Sequence, residues 1–397
     1  MSKLPVVFAA FLLGMLSFAS PISAESTDAD ADVDAAADAG ADVVVAALDD
    51  RPTALVTMGD SYISGEAGRW QGNWPSFTRD RGGTDRAAYL QDRWWRYDPS
   101  RVYGATAELC HRSDVAPALN NQIPVAAKIN LACSGADTAN IFRSSNGGVS
   151  HRGEAPQADQ LAEVAATHDV EMIVLSVGGN DLGFADIIID CTIRYATSPS
   201  WWKNTCRRSQ QRNVDRAMES AMAGVSKAVD EIRAVMDDAG QAPGSYRLVV
   251  QSYPSPVPRG DDFRYSERGW SRSFTGGCPF WDGDATWARD SLVPQIADNL
   301  AAVAAAQGVE FLDLQDQLEG REVCSVGSTQ GVGADAEWAR FLSTGLTQGR
   351  ARESMHPNAL GQESNGTCLE LLFEAAPGSY RCTNVAGSGP SKMNLES

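Results

Sequence analysis

Four short polar turns in this 397-residue chain carry side chains that, brought together, would perform acyl transfer. They are Gly59-Asp60-Ser61, Ser134-Gly135, Gly178-Gly179-Asn180-Asp181 and Met355-His356-Pro357-Asn358. A serine attacks a carbonyl only as it loses its proton, which calls for a neutral histidine as base. His356 is the best placed of the four histidines, which are His111, His151, His168 and His356. The tetrahedral oxyanion also needs donors fixed in advance, and the backbone N–H groups of Ser61 and Gly135 with the amide of Asn180 would supply them. Each turn has a plainer reading. Ser61 and Asp60 suit a helix N-cap, as does Ser134; Gly-Gly-Asn-Asp is ordinary turn punctuation; His356 before Pro357 suits a helix start. Ser134 is a rival nucleophile in principle, although its neighbour Gly135 is better explained as a donor within the same site.

The elements that must position these turns favour the chemical reading. Apolar, β-branched runs at 53–58, 123–131, 171–177, 247–252 and 309–314 read as strands, and the first three of them run directly into the first three turns. Apolar spacing of three to four residues marks helices over 158–167, 214–238 and 286–307. Strands alternating with helices predict an α/β fold, a parallel sheet of about five strands with helices on both faces. In such sheets ligands bind beyond the carboxyl ends of the strands, where these turns fall. A long connection joins the first two strands and holds Trp70, Trp74, Trp94, Trp95 and Tyr97. Insertions around 191–206, with Trp201 and Trp202, and around 254–287 share its aromatic character. The Gly- and Ser-rich residues 383–397 are expected to form a flexible tail.

Composition narrows the setting. Residues 1–24 carry Lys3, an apolar run from Val6 to Phe18 and small residues before position 25, the pattern of a secretory signal peptide cleaved after Ala24. Residues 25–50 are rich in Ala and Asp and read as a solvated spacer or pro-segment. Their alternating Asp28, Asp30, Asp32 and Asp34 fall short of a calcium loop, because Val33 stands where glycine is required. That segment holds nine acids and no base, and Lys3 is the only charge before it, so the net charge of −18 reduces to −10 for residues 51–397. No cluster of Lys and Arg suited to phosphate backbones is evident, which argues against a nucleic-acid partner. The eight cysteines fit an oxidising compartment and form no Cys-x-x-Cys pair, so zinc is not expected. Four sequential bridges are expected: Cys110 to Cys133, Cys191 to Cys206, Cys278 to Cys324 and Cys368 to Cys382. No later run is apolar and long enough to span a membrane.

Taken together, the turns resemble the four sequence blocks of the SGNH hydrolases, the GDSL esterase and lipase family. The matching positions are Ser61, Gly135, the Gly178 to Asp181 block with Asn180, and the block ending at His356. The resemblance covers roughly residues 53–374, and its long cysteine-bearing insertions are similar to those of the secreted actinobacterial branch. It implies a three-layer α/β/α sandwich with a flavodoxin-like sheet. Members usually place Asp three residues before the histidine, where this chain has Glu353. Some secreted relatives use a main-chain carbonyl two residues before the histidine instead, here that of Ser354. Glu353 and the Ser354 carbonyl therefore both stand as candidates for orienting His356. The expectation is a secreted, monomeric esterase or lipase that needs no cofactor or metal and acts on a lipid or acylated carbohydrate ester. The competing expectation is an exported carbohydrate-binding or adhesion protein with a vestigial site, suggested by the paired tryptophans.

Overall fold

Seven strands form one sheet in the order β2-β1-β3-β4-β5-β6-β7. The computed structural model describes residues 51–73, 99–104, 109–199, 201–343 and 349–397. The signal-peptide and spacer readings, and Trp74, Trp94, Trp95 and Tyr97, lie outside those residues. The strands are β1 (Thr53–Gly59), β2 (Ala127–Asn130), β3 (Asp169–Ser176), β4 (Arg247–Gln251), β5 (Glu310–Asp313), β6 (Ser379–Asn384) and β7 (Met393–Glu396). All neighbours pair in parallel except β6 and β7, which are antiparallel. Strands β1, β3, β4 and β5 are buried almost end to end. This is why their centres read as apolar runs with little polar alternation, as in a parallel sheet covered on both faces, although β5 is only Phe311-Leu312 between Glu310 and Asp313.

The sheet has two strands more than the five expected. β6 and β7 use the polar sequences Ser379–Asn384 and Met393–Glu396, half exposed at the sheet edge, where no apolar run marks them. Tertiary bonds hold them instead. Cys382 is bridged to Cys368, and Arg381 Nε donates to Asp313 Oδ2 at 3.0 Å. Residues 383–397 are accordingly not a loose tail, since β7 pairs with β6 from Met393 to Glu396.

The helices that matter for the site are α1 (Gln157–Thr167), α2 (Phe184–Thr197), α3 (Arg207–Asp238), α4 (Val293–Gln307) and α5 (Ala359–Glu374). α3 packs between α1 and α4 in one layer, whereas α5 lies against residues 117–122 of the β1–β2 connection. α3 begins seven residues before the expected Val214. Its polar first turns are fastened from outside: Asp284 accepts the N–H groups of Cys206 and Arg207 at 3.0 and 3.2 Å, and Cys206 is bridged to Cys191. The helix expected over 286–307 is divided by a wide turn at Ala288–Leu292. Pro294 lacks an N–H and crowds the carbonyl four residues earlier, which the widened turn relieves. The remaining bridges are Cys110–Cys133 and Cys278–Cys324.

Candidate active site

Gly59 ends β1 in a conformation with φ +131°, and a Cβ there would fall 1.9 Å from the Ser176 carbonyl oxygen on β3. Only glycine allows that approach. The Gln157 side chain clamps the same peptide, accepting from Gly59 N–H at 2.7 Å and donating to its carbonyl at 2.8 Å. The chain then turns into a one-turn helix, Ser61–Ser64, whose N-cap is Asp60, with Oδ1 accepting from Tyr62 N–H at 3.1 Å. Asp60 Oδ2 accepts the Tyr253 hydroxyl at 2.6 Å, and Tyr253 accepts Gly179 N–H at 3.1 Å, so β1 and β3 present their turns as one piece. Burial pushes the Asp60 carboxyl up to about 7, against the hydrogen bonds from Tyr253 and Tyr62.

Ser61 Oγ lies 2.7 Å from His356 Nε2, and His356 Nδ1 lies 3.0 Å from the Ser354 carbonyl oxygen. A carbonyl can only accept, so Nδ1 carries the proton and Nε2 presents its lone pair to the serine hydroxyl. Burial lowers the His356 pKa, opposed by the Glu66 charge, and so favours that neutral base. The histidine loop is held by main-chain bonds to the segment 338–340: Met355 N–H to Arg340 O at 2.9 Å, Arg340 N–H to His356 O at 2.8 Å, and Asn358 N–H to Trp338 O at 2.9 Å. Met355 adopts φ +61°, a left-handed conformation rare outside glycine, and the Tyr62 hydroxyl donates to its carbonyl at 2.9 Å. The Tyr62 ring also lies against the imidazole, centroids 4.9 Å apart.

Glu353 is placed elsewhere. Fully buried, it takes the Trp70 indole N–H on Oε2 at 2.7 Å. The position at Nδ1 belongs to the Ser354 carbonyl.

The Ser134-Gly135 turn is drawn to the same edge by Cys133 N–H, which donates to Gly59 O at 3.0 Å. Gly135 has φ +86°, and neither its N–H nor that of Ser61 hydrogen-bonds within the protein among the described residues. Asn180 donates one amide hydrogen to Ala136 O at 2.7 Å, which aims the side chain across from β3 to this turn. Asp181 accepts from Thr138 Oγ1 at 2.6 Å and extends the same splice. The candidate donors thus come from three turns: the N–H of Ser61 itself, the N–H of Gly135 and the amide of Asn180. Ser134, the rival nucleophile, is committed otherwise: its hydroxyl donates to Glu66 Oε2 at 2.5 Å.

Glu66 is the group that sequence reasoning passed over. It is fully buried, accepts from the Tyr103 hydroxyl, and its Oε2 lies 2.7 Å from His111 Nδ1. Burial would raise its pKa, but the hydrogen bond and charge of His111 outweigh that and hold the carboxyl below its ordinary range. Its N–H reaches back to Ser61 O at 3.2 Å, so one residue ties the serine turn to the Ser134-Gly135 turn. The available signal was an acid standing alone in Tyr62-Ile63-Ser64-Gly65-Glu66, a run otherwise without charge.

An apolar cleft with a volume of about 70 Å³ starts at Tyr62 and Met355, the chain neighbours of Ser61 and His356. Phe184, Ile187, Ile188, Trp287 and Leu292 continue its walls.

Comparison with known proteins places this site in context. The GDSL-like lipase/acylhydrolase family model matches residues 100–363, which include Gly135, Asn180 and His356 and begin after Ser61. Among solved structures, phospholipase A1 from Streptomyces albidoflavus NA297 is similar with a TM-score of 0.48 and 20% identity, covering 82% of this chain and 100% of that one. An extracellular lipase from Streptomyces rimosus is similar with a TM-score of 0.43 and 21% identity, covering 81% and 100%. Est24, a carbohydrate acetylesterase from Sinorhizobium meliloti, is similar with a TM-score of 0.32 and 11% identity, covering 81% and 100%. No curated protein matches the chain. On the match over residues 100–363, the chain belongs to the GDSL-like lipase/acylhydrolase family, the SGNH hydrolases.

Proposed function

We propose that the protein is a secreted serine esterase or lipase that hydrolyses carboxylic esters through an acyl-enzyme. The observation that carries this reading is the 2.7 Å contact from Ser61 Oγ to His356 Nε2, with the opposite nitrogen engaged by a carbonyl. In the proposed reaction Ser61 Oγ bonds to the ester carbonyl carbon as its proton passes to His356 Nε2. The negative carbonyl oxygen is held by Ser61 N–H, Gly135 N–H and the second amide hydrogen of Asn180. The imidazolium returns the proton to the leaving alkoxide, and the carbon–oxygen bond to it breaks. Water, deprotonated by the same nitrogen, then attacks the acyl-serine and releases the acid. The Ser354 carbonyl keeps the proton on Nδ1 throughout, which is the service a third triad member performs. The apolar walls from Tyr62 to Leu292 suit an acyl chain, so the substrate class proposed is a lipid ester. Four disulfides, and no helix among the described residues long and apolar enough to cross a membrane, support secretion.

Ser61→Ala is the direct test. It is expected to reduce p-nitrophenyl butyrate hydrolysis by at least about 10³-fold while leaving the fold intact, because removal of a nucleophile leaves only the oxyanion hole and binding. Wild-type turnover in that variant, or a phosphonate probe attached to Ser134, refutes the assignment. A carbohydrate-binding protein with a dead site would instead retain polysaccharide and show no ester turnover.

A further inference from the structure

We infer that the protein docks on anionic lipid surfaces through an exposed aromatic face beside the apolar cleft. Trp201 and Trp202 are 80% and 73% exposed, Trp270 73% and Phe274 57%. On α2, Ile189 and Ile193, one helical turn apart, are each more than half exposed. These residues come from three segments that the fold sews together. Cys191 on α2 is bridged to Cys206, just past the Trp201-Trp202 loop. The Tyr195 hydroxyl on α2 donates to Glu267 O at 2.7 Å, and Lys203 pairs with the Glu267 carboxylate. Trp270 and Phe274 follow within one wide turn and stack on each other with centroids 3.7 Å apart.

Large apolar side chains displayed together to water lose the free energy of burial and mark an interaction site. The chemistry of the rim selects the partner. From Thr192 to Val214 the chain carries five bases and no acid, in a body whose net charge is negative. Arg194 and Lys203 are neutralised by Asp190 and Glu267, and Arg207 lies beside Asp284, but Arg208, Arg212 and Arg268 are exposed and form no ion pair among the described residues. Tryptophans with guanidinium groups around them fit the headgroup zone of an anionic bilayer. Branched Ile189 and Ile193 give no flat platform for a sugar ring, whereas acyl chains accept them. The placement also serves the proposed reaction, on which this inference builds in part. α2 puts Ile187, Ile188 and Cys191 into the cleft wall and Ile189 and Ile193 outside, so a surface-bound molecule would hold its cleft at the lipid boundary.

Flotation of the full chain with vesicles of ether-linked lipids, which no esterase cleaves, tests the inference. Partition is expected onto vesicles containing phosphatidylglycerol, weakened by salt and by omission of the anionic lipid. Trp201→Ser with Trp202→Ser, or Trp270→Ser with Phe274→Ser, should each lower partition at least about tenfold, as expected when two large apolar side chains lose their burial. Hydrolysis of dissolved p-nitrophenyl acetate should be unchanged in both double variants. Vesicle binding that persists without any Ser61-dependent ester turnover sinks the esterase reading and upholds the docking face. Turnover of dissolved ester with no partition, partition indifferent to the double variants, retention on xylan in place of vesicles, or self-association abolished by the same substitutions overturns the docking face.

Discussion

Two substitutions of Glu353 separate the ways His356 could be held. The carboxylate is fully buried and takes the Trp70 N–H at 2.7 Å, while the Ser354 carbonyl stands 3.0 Å from Nδ1. Glu353→Gln keeps the volume of the side chain and an oxygen able to accept from Trp70, so its kcat/KM per folded molecule should stay near that of the wild type. Glu353→Ala strands that indole N–H in a dry interior and leaves a void. The surroundings are tight enough that a Cβ on Gly349 would meet Glu353 Oε2 at 2.2 Å. An orphaned buried donor costs about 1–3 kcal/mol and a partly collapsed cavity adds to it, which puts the expected loss of stability at roughly 2–5 kcal/mol. The main-chain carbonyl survives both changes, so kcat/KM per folded molecule should stay within about tenfold, or ~1.4 kcal/mol. Equilibrium urea unfolding with the disulfides intact reads the first quantity. Hydrolysis of p-nitrophenyl butyrate, normalised by phosphonate titration of reactive serine, reads the second. A carboxylate that oriented the imidazole would behave differently, since its neutral amide loses roughly 10⁴-fold in such triads. A well-folded Glu353→Gln protein with a loss of that size refutes the reasoning.

Three further outcomes are expected. Because burial lowers the His356 pKa, the neutral base forms at lower pH than usual, and kcat/KM on a dissolved ester should reach half its plateau below the ordinary histidine value of about 6.5. A half-point above that value contradicts the placement of the base. Buried Asp60 keeps its proton up to about 7. An unfolded aspartate ionises near ~3.9, so this group makes wild-type stability fall as pH climbs between those two values. Asp60→Asn lacks the titration, and its stability relative to wild type should improve with pH across that window in a urea series; a constant difference would speak against a protonated Asp60. Gly135→Ala has room for its methyl, with Arg152 Nη2 and His151 Nε2 at 3.4 and 3.5 Å, but must hold φ +86°. Left-handed strain of about 1–2 kcal/mol should displace the N–H and lower kcat by about 10²-fold, and undiminished kcat would remove Gly135 from the oxyanion site.

Strands β1, β3, β4 and β5 were legible because burial on both faces demands apolar centres, and the turns beyond β1 and β3 were legible because glycine and polar residues interrupt those runs abruptly. β6 and β7 were not. Both are polar: β6 is held by the Cys368–Cys382 disulfide and by Arg381 to Asp313, partners distant in the chain, and β7 closes the edge by pairing with β6. The early start of α3 escaped for the same reason, since the carboxylate that caps it belongs to Asp284. Within the proposed site, Ser61, Gly135, Asn180 and His356 were singled out by residue type only in combination with their joint placement in turns at the predicted sheet edge. The group facing His356 Nδ1 could be named only through the family resemblance, which left the Ser354 carbonyl and Glu353 as alternatives, because a peptide carbonyl is present at every position and leaves no mark in the sequence. Glu66 was readable only as an unexplained acid; its meaning depends on Tyr103, His111 and Ser134 arriving from other segments.

The contact between Ser61 and His356 spans 295 positions of the chain. Synthesis therefore delivers the serine early and its base late, and between those moments the nascent polypeptide holds a hydroxyl with no partner to activate it. The histidine loop is pinned by main-chain bonds to Trp338 and Arg340, themselves late in the chain, and α5 and β6 lie beyond it in sequence. In the proposed reaction, a chain interrupted before His356 would lack the base and be inert toward the esters of the cell that makes it.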